Sequence, residues 1–149
     1  MTRAEILKAI EPYFSIDELV CNHTLEKWHN RSWMFLDTMA LHTLLILRRD
    51  IFRKPIWINN HRQGVYQRGL RCNMCPIVKT KTSVYLGGHC LGKGFDLTIE
   101  GIDAETARKM IVEKQDLLPC PIRLEAEVSW VHFDVLHEEG YPKVTFFKG

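Results

Sequence analysis

An apolar segment with helical periodicity, WMFLDTMALHTLLILRR at residues 33–49, constrains the fold of this chain more than any other feature. Its apolar side chains recur at the spacing that places them on one face of a helix, namely Trp33, Leu36, Ala40, Leu44 and Leu47. Two arginines stand near its C-terminal end, where positive charge complements the helix dipole. We therefore predict a helix over residues 33–49 that forms the core of the domain.

Length and composition limit the architecture and the class of protein. The 149 residues are enough for a sizeable hydrophobic core, so we expect a single domain over residues 1–149. The net charge of +2 and the lack of a basic run give no indication of nucleic-acid binding. The longest apolar stretch, residues 44–47, is far too short to span a bilayer, and residues 1–14 lack the core of a signal peptide. We expect synthesis in the cytoplasm and no membrane partner.

Local signals predict the remaining elements. A capping box, SIDE at residues 15–18, begins a short helix, and Asp103 is suited to cap another. Helices are accordingly predicted at residues 3–10, 16–20 and 103–114, and a short strand at 55–59. Residues 60–86 show little periodicity and carry many cations, which indicates a long functional loop. The C-terminal part resembles a hairpin, with VSWVHFDVL and KVTFF joined by a turn through EEGYP.

Two segments alternate in the manner of half-buried strands. In GFDLTI, Asp96 lies on the face opposite the apolar side chains, and in SWVHFDV, His132 does the same. If the two strands are neighbours in one sheet, their apolar faces can lie on the long helix. Asp96 and His132 then share the other face, and His89, in the glycine-rich loop before the first strand, can close over them. Two imidazoles and a carboxylate suit a zinc site with one position open for water, which is typical of catalytic zinc.

The same residues carry a resemblance to a known family. HCLGKGFD followed by WVHFD is similar to the metal site of the zinc D-Ala-D-Ala carboxypeptidase and L-Ala-D-Glu peptidase family, with the pattern S-x-H-x-x-G-x-A-x-D and a later W-x-H. Upstream segments such as FSIDELVCNH and RGLR resemble small phage and prophage members, so the likeness covers residues 13–137. It implies an α+β fold of the hedgehog/DD-peptidase type, with a small antiparallel sheet backed by helices and one zinc on its open face. It also implies cleavage of peptidoglycan stem peptides.

The chain departs from the family pattern at three positions. Gly87 replaces the serine two residues before the first histidine, and Gly94 replaces the alanine two residues before the aspartate. Many members place the catalytic glutamate three residues before the second histidine, where this chain has Ser129. The resemblance therefore supports metal binding more directly than it supports activity.

Two other glutamates are candidates for the general base that accepts a proton from the zinc-bound water. Glu125 lies in an RLE segment that resembles the position of the glutamate in some small phage members. Glu127 is closer in sequence to His132. We favour Glu125, although either glutamate taken alone could be an ordinary solvated residue on a turn.

A substrate with a free carboxylate requires a cation, for which arginine is well suited because it binds carboxylates with two hydrogen bonds. The family has an arginine in a segment like S-G-Y-R, and RGLR, which ends at Arg71, resembles that segment. Arg71 precedes His89 by 18 residues, and Arg62 is the second candidate. Each could instead be an ordinary surface arginine.

The five cysteines of the chain are expected to be reduced thiols without a catalytic role. Five cysteines are an odd number, which fits reduced thiols better than a disulfide framework. Cys72 and Cys75 have the spacing of half a zinc ribbon, but no second C-x-x-C follows. The other thiols and imidazoles of the chain leave a structural metal possible, and we favour chance use of cysteine over it. Cys90, beside His89, lacks the arrangement of a thiol protease and is expected to be a small buried side chain.

We therefore predict a monomeric peptidase with one Zn²⁺ that acts on peptidoglycan stem peptides. The metal would be held by His89, Asp96 and His132. A cytoplasmic origin suits a phage or prophage lysis protein, or a virion component, that reaches the cell wall after release. The alternative is a non-catalytic, zinc-containing cell-wall-binding domain on the same fold. A zinc module that binds nucleic acid would rest on Cys72, Cys75 and the nearby cations, and it is the weakest of the three hypotheses.

Overall fold

A computed structural model describes residues 1–149 as an α+β fold with a five-stranded mixed sheet. The helices are α1 (Arg3–Ile10), α2 (Ile16–Leu19), α3 (Asn22–Trp28), α4 (Thr38–Ile46), α5 (Pro76–Lys79) and α6 (Ala104–Glu113). The strands are β1 (Ile56–Trp57), β2 (Gly94–Ile99), β3 (Ile122–Glu125), β4 (Val131–Asp134) and β5 (Val144–Phe147). None of the helices combines the length and the apolar character needed to cross a bilayer.

The central helix is shorter than the predicted range of residues 33–49. Residues 29–35 form a 3-10 segment, and α4 begins only after Asp37, whose side chain accepts hydrogen bonds from the backbone of Met39 and Ala40. The helix continues as a π-helical segment, Leu47–Phe52, and Arg53 ends it in the left-handed conformation. Trp33 and Leu36 are nevertheless buried in the core, so the periodicity identified the buried side chains but not the start of the helix.

The locally capped helices agree closely with the sequence. The Thr2 capping box begins α1, the reciprocal bonds of Ser15 and Glu18 begin α2, and Asp103 accepts from the backbone of Thr106 at the start of α6. The strand predicted at residues 55–59 is reduced to β1, and the loop of residues 60–86 contains only a 3-10 turn at His61–Gln63 and α5.

The strand order is β1-β2-β4-β3-β5. Strands β2 and β4 are antiparallel neighbours, with Asp96 opposite His132 and Phe95 opposite Phe133. The condition on which the shared site depended, that these two strands are neighbours in one sheet, is therefore met. The prediction of a wholly antiparallel sheet is wrong, because β3 and β5 are parallel. The predicted C-terminal hairpin is also wrong, because β3 lies between β4 and β5 and pairs with both.

The two faces of the sheet have different environments. Phe95 and Phe133 are fully buried on the inner face, with ring centroids 5.9 Å apart, and α6 packs across β2 and β4. Burying a side chain of this size contributes roughly 1.5–3 kcal/mol to folding. Asp96 and His132 lie on the opposite face, because successive side chains of a strand point to opposite sides. The apolar core thus fixes the register that brings these polar groups together.

Candidate metal centre

The three residues proposed as zinc ligands lie together on the outer face of the sheet. The carboxylate of Asp96 is 2.8 Å from His132 Nδ1 and 3.3 Å from His89 Nε2. Their potential ligand atoms all lie within 4.8 Å of one another. All three side chains are buried, so the cluster is a group of polar atoms shielded from bulk water.

The backbone of the preceding loop orients His89. The ring Nδ1 of His89 donates to the carbonyl of Gly69 at 2.8 Å, which leaves Nε2 directed at Asp96. The chain leaves this turn through Gly92, whose φ of 67° is in the left-handed region. A Cβ at Gly92 would collide with the backbone carbonyl of Phe35, so a larger residue does not fit there.

A second carboxylate, that of Asp134, orients the ring of His132 through the nitrogen that faces away from Asp96. Nε2 of His132 lies 3.0 Å from Asp134 Oδ2, and Asp134 is 1% exposed. Arg123 on β3 donates to both oxygens of Asp134, at 2.8 and 2.9 Å. Histidine ligands of metals commonly donate their second ring nitrogen to a carboxylate or carbonyl, which fixes the ring. His89 and His132 both have this arrangement, so the nitrogens left to face Asp96 are those a metal would use.

The electrostatics of the cluster depend on these contacts. Burial by itself would raise the pKa of Asp96, but hydrogen bonds from His132 and His89 outweigh it and hold that pKa well below the usual carboxyl range. Burial disfavours the charged form of His132, yet its bonds to Asp134 and Asp96 raise the pKa to about 9. Asp96 is thus a buried carboxylate whose charged form is stabilised by its hydrogen-bond partners, and a metal cation at this position could supply the same compensation.

The two candidate arginines are in different surroundings. The guanidinium of Arg71 lies 3.4 Å from Asp96 Oδ2, and its Nε donates to the carbonyl of Gln67 at 2.6 Å. Arg71 therefore lies at the cluster. Arg62 is exposed in the 3-10 turn at residues 61–63 and does not line the cleft around Asp96. Of the two arginines, the structure brings only Arg71 to the cluster.

Of the two candidate glutamates, too, only one lies at the cluster. Glu125 is the last residue of β3 and lines the cleft that contains His89 and Asp96. Glu127 is exposed, has a φ of 62°, and lies 3.3 Å from Lys148 Nζ. It borders a different hollow, beside α6, so it does not reach the cluster. Ser129, at the family's usual glutamate position, is exposed between β3 and β4.

The cleft over the cluster has a volume of about 310 Å³. Besides the three potential ligands it is lined by Arg71, Tyr85, Gly87, Gly88, Arg123, Glu125, Trp130, Asp134 and Phe147. Phe147 makes an edge-to-face contact with His132 at 5.6 Å between ring centroids. The cleft therefore combines two further carboxylates, two guanidinium groups and aromatic walls around the buried cluster.

Comparison with known proteins gives no relative from which a role could be transferred. No protein-family model, no curated protein and no solved structure matches this chain. The role of the cluster must therefore be inferred from the arrangement of its own residues, together with the resemblance of the motifs.

A second group of potential metal ligands was identified only in part from the sequence, which singled out Cys72 and Cys75 but not their partners. Cys21, His23, Cys72 and Cys75 lie with their ligand atoms within 4.8 Å of one another. The sequence favoured chance use of cysteine over a structural metal at Cys72 and Cys75, because no second C-x-x-C follows. The partner in the structure is a C-x-H pair about 50 residues earlier in the chain. The predicted limit of one zinc is thus not supported by the number of suitable clusters.

Asp134→Asn is expected to weaken metal binding at the His89–Asp96–His132 cluster by about 10–100-fold. The amide keeps the shape of the side chain but removes the charge that holds the His132 ring. Competition with a chelator of known zinc affinity measures the change. Asp50→Asn, which alters a surface ion pair with Arg49, is the matched control and should leave the affinity unchanged. Equal affinities in the two variants would contradict a role for Asp134 in orienting His132.

Proposed function

We propose that this chain is a zinc peptidase that cleaves peptidoglycan stem peptides. The observation that carries the proposal is the convergence of His89, Asp96 and His132 at the base of a cleft, with the second nitrogen of each imidazole held by a carbonyl or a carboxylate. Three protein ligands of this kind are typical of a catalytic zinc, whereas structural zinc sites use four.

The residues present fit such a metal. The three groups that would hold it face one another: His89 Nε2, the Asp96 carboxylate and His132 Nδ1. The second ring nitrogen of each histidine is hydrogen-bonded elsewhere, to the Gly69 carbonyl in His89 and to Asp134 in His132. A zinc ion held there would supply a Lewis acid and lower the pKa of a bound water. The protein itself supplies the burial, the fixed rings and the negative charge of Asp96.

Glu125 and Arg71 complete the proposed mechanism. Glu125 lines the cleft. In the proposed mechanism it accepts the proton of the attacking water and passes it to the leaving amine. Arg71 lines the cleft on another side, where its guanidinium can bind a carboxylate of the substrate. Arg123 is occupied by Asp134 and is less available for that role.

The substrate class follows from the resemblance of the motifs, and the finer fold assignment does as well. HCLGKGFD and WVHFD lie at the cluster, and RGLR supplies Arg71. We therefore propose a hedgehog/DD-peptidase-like fold. A neighbouring hollow of about 520 Å³ shares Arg123 and Phe147 with the cleft and offers room for an extended peptide. Release from a lysed cell, or incorporation in a virion, would bring the protein to the cell wall.

Arg71→Ala is expected to lower kcat/KM for stem peptides by about 10–100-fold, because it removes a charge-assisted hydrogen bond to the substrate. Zinc content and the thermal unfolding midpoint should change little. Arg71→Lys should recover only part of the loss, since lysine keeps the charge but not the paired geometry. Arg62→Ala is the matched control and should be close to wild type. A larger loss in Arg62→Ala than in Arg71→Ala would contradict the assignment.

The alternative function is a non-catalytic, zinc-containing cell-wall-binding domain, and the observation that favours it is Ser129 at the usual glutamate position. Digestion of purified muropeptides by the zinc-loaded protein, followed by mass spectrometry, separates the two. Loss of a terminal D-alanine or a cut within the stem supports the peptidase. If the wild type cuts no stem peptide and Ser129→Glu gains activity, the natural protein is a binding domain.

A further inference from the structure

The cluster formed by Cys21, His23, Cys72 and Cys75 has the dimensions of a metal site. Cys72 Sγ lies 3.6 Å from His23 Nδ1 and 3.9 Å from Cys75 Sγ. Cys75 Sγ lies 3.8 Å from His23 Nδ1. A tetrahedral zinc with Zn–S of about 2.3 Å and Zn–N of about 2.0–2.1 Å requires S···S separations of about 3.8 Å and S···N separations of about 3.6 Å. The three separations among His23, Cys72 and Cys75 match these edges, and Cys21 Sγ lies within 4.8 Å of the other ligand atoms.

The alternative pairing of the thiols as a disulfide does not fit. A disulfide requires an S–S length of about 2.05 Å, and the five cysteines of the chain are all free. Cys21 and Cys75 are buried, whereas His23 is exposed at the surface of α3. Cys72 is half-buried, so the cluster has two shielded thiols, with Cys72 and His23 on its outer side. Three cysteines and one histidine are the ligand set of Cys₃His zinc sites.

Hydrogen bonds from neighbouring groups orient the thiols, as is common for the cysteine ligands of metal sites. The N–H of Met74 donates to Cys72 Sγ at 3.4 Å, and the N–H of Cys75 donates to the Cys72 carbonyl at 3.1 Å. These bonds form the tight turn of the C-x-x-C segment. Thr24 lies with its hydroxyl 3.1 Å from Cys21 Sγ. Hydrogen bonds to the ligand sulfurs orient them and stabilise their anionic form.

Backbone hydrogen bonds also connect the segment that carries Cys21 to the segment that carries Cys72. The N–H of Cys21 donates to the Leu70 carbonyl at 3.0 Å, and the N–H of Leu70 donates to the Leu19 carbonyl at 2.8 Å. Gly69 passes so close to Leu19 that a Cβ at position 69 would collide with the Leu19 carbonyl. The segment before α3 and the segment before Cys72 are thus in fixed register, which places C-x-H beside C-x-x-C.

We propose that Cys21, His23, Cys72 and Cys75 bind a second zinc ion that has a structural role. Four protein ligands close the coordination shell and leave no position for a substrate or a reactive water. The ion would clamp residues 69–75 against the start of α3. This segment contains the Gly69 carbonyl that accepts from His89, and Arg71, which contacts Asp96. Occupancy of this second site does not depend on the proposed peptidase function.

The test uses full-length protein purified without chelator, with elemental analysis and replacement of zinc by Co²⁺. Wild type is expected to hold two zinc ions per chain and to show an intense near-ultraviolet thiolate-to-cobalt charge-transfer band. Cys72→Ser with Cys75→Ser should lose one zinc and the whole band. Cys120→Ser, which alters a half-buried thiol beside Thr43, is the matched control and should keep both. His23→Cys should retain the metal, because a fourth thiolate also suits zinc.

The results of these measurements distinguish the cysteine cluster from the cluster of His89, Asp96 and His132. Asp96→Asn should lose one zinc and keep the thiolate band, because the cysteines are untouched. A wild-type protein whose Co²⁺ form has no thiolate band would overturn the second site, whether or not the serine variant folds. Retention of both zinc ions in the folded double serine variant would overturn it as well. Neither result would affect the peptidase proposal, which rests on muropeptide cleavage.

Discussion

Glu125→Gln is expected to lower kcat/KM for stem peptides by about 10²–10⁴-fold, the usual contribution of general-base catalysis. The substitution is nearly isosteric and removes only the ability to take a proton. Zinc content and the unfolding midpoint should therefore match the wild type. Steady-state cleavage of a purified muropeptide, with elemental analysis of the same preparations, measures both effects.

The position of Glu125 explains this expectation. In the antiparallel pairing of β3 with β4, Arg123 is opposite Asp134 and Leu124 is opposite Phe133. One residue further along the same register, Glu125 comes beside His132. Arg123 and Glu125 alternate with the buried Leu124, so both point to the outer face, and Arg123 contacts Asp134 there. Glu125 thus shares the face and the strand neighbourhood of the proposed ligands.

Glu127→Gln is the matched control and is expected to be close to neutral. Glu127 is only two residues further on, but β3 ends at Glu125 and the left-handed backbone at Glu127 reverses the direction of the chain. Its carboxylate lies near the exposed Lys148 instead. If Glu127→Gln lost activity and Glu125→Gln did not, the proposed mechanism would be wrong at this step. Full activity in both variants would place the base at another residue.

The parts of the fold that depend on neighbouring residues were predictable from the sequence. The caps of α1, α2 and α6 involve side chains and backbone groups within three residues of one another, so the sequence contains the whole interaction. Alternation placed Asp96 and His132 on the polar face of two strands, and these polar faces coincide because the two strands pair with Phe95 opposite Phe133. The candidate ligand set was therefore accessible before the structure.

The parts that depend on distant residues were not predictable. Alternation is the same in parallel and antiparallel strands, so it could not show that β5 pairs with β3 instead of β4. Apolar periodicity also continued past Asp37 toward Trp33, although the cap at Asp37 sets the helix start. In both cases the sequence identified which side chains are buried, but not the interaction that decides the geometry.

The cysteine cluster shows the same limit for a site. Cys72 and Cys75 lie within three residues, but their partners Cys21 and His23 approach only because Val20 pairs with Leu70 in a parallel bridge. An isolated β-bridge of this kind involves too few residues to produce an alternating pattern in the sequence. The useful signal would have been a count of all thiol and imidazole pairs at short spacing, which includes C-x-H as well as C-x-x-C.

Asp96→Asn is expected to abolish stoichiometric zinc binding at the proposed catalytic site and to reduce stem-peptide cleavage to background. The amide keeps the size of the side chain but removes the only negative charge among the three proposed ligands. Only the two imidazoles then remain as ligands, and Arg71 lies 3.4 Å from the position of the lost charge. A divalent cation would gain no compensation for its desolvation and would meet an uncompensated guanidinium.

The measurement for Asp96→Asn combines zinc content with thermal unfolding in added zinc. A ligand at about 1,000 times its Kd stabilises the folded state by about 4 kcal/mol, so wild type should show a zinc-dependent rise in midpoint that this variant loses in part. The part that remains is the contribution of the Cys21–His23–Cys72–Cys75 cluster. Asp116→Asn, at an exposed position in the 3-10 turn after α6, is the matched control and should respond as wild type does.

The two candidate metal sites make the result specific. If Asp96→Asn holds as much zinc as wild type and cleaves muropeptides at the same rate, the cluster of His89, Asp96 and His132 is not the catalytic centre. If zinc is retained but cleavage is lost, Asp96 acts on the substrate or on Arg71 and not as a ligand. Loss of one zinc together with cleavage, while the thiolate band of the Co²⁺ form is kept, is the outcome that the geometry predicts. That outcome follows because the carboxylate of Asp96 is the shared contact of both imidazoles, whereas it makes no contact with the cysteine cluster.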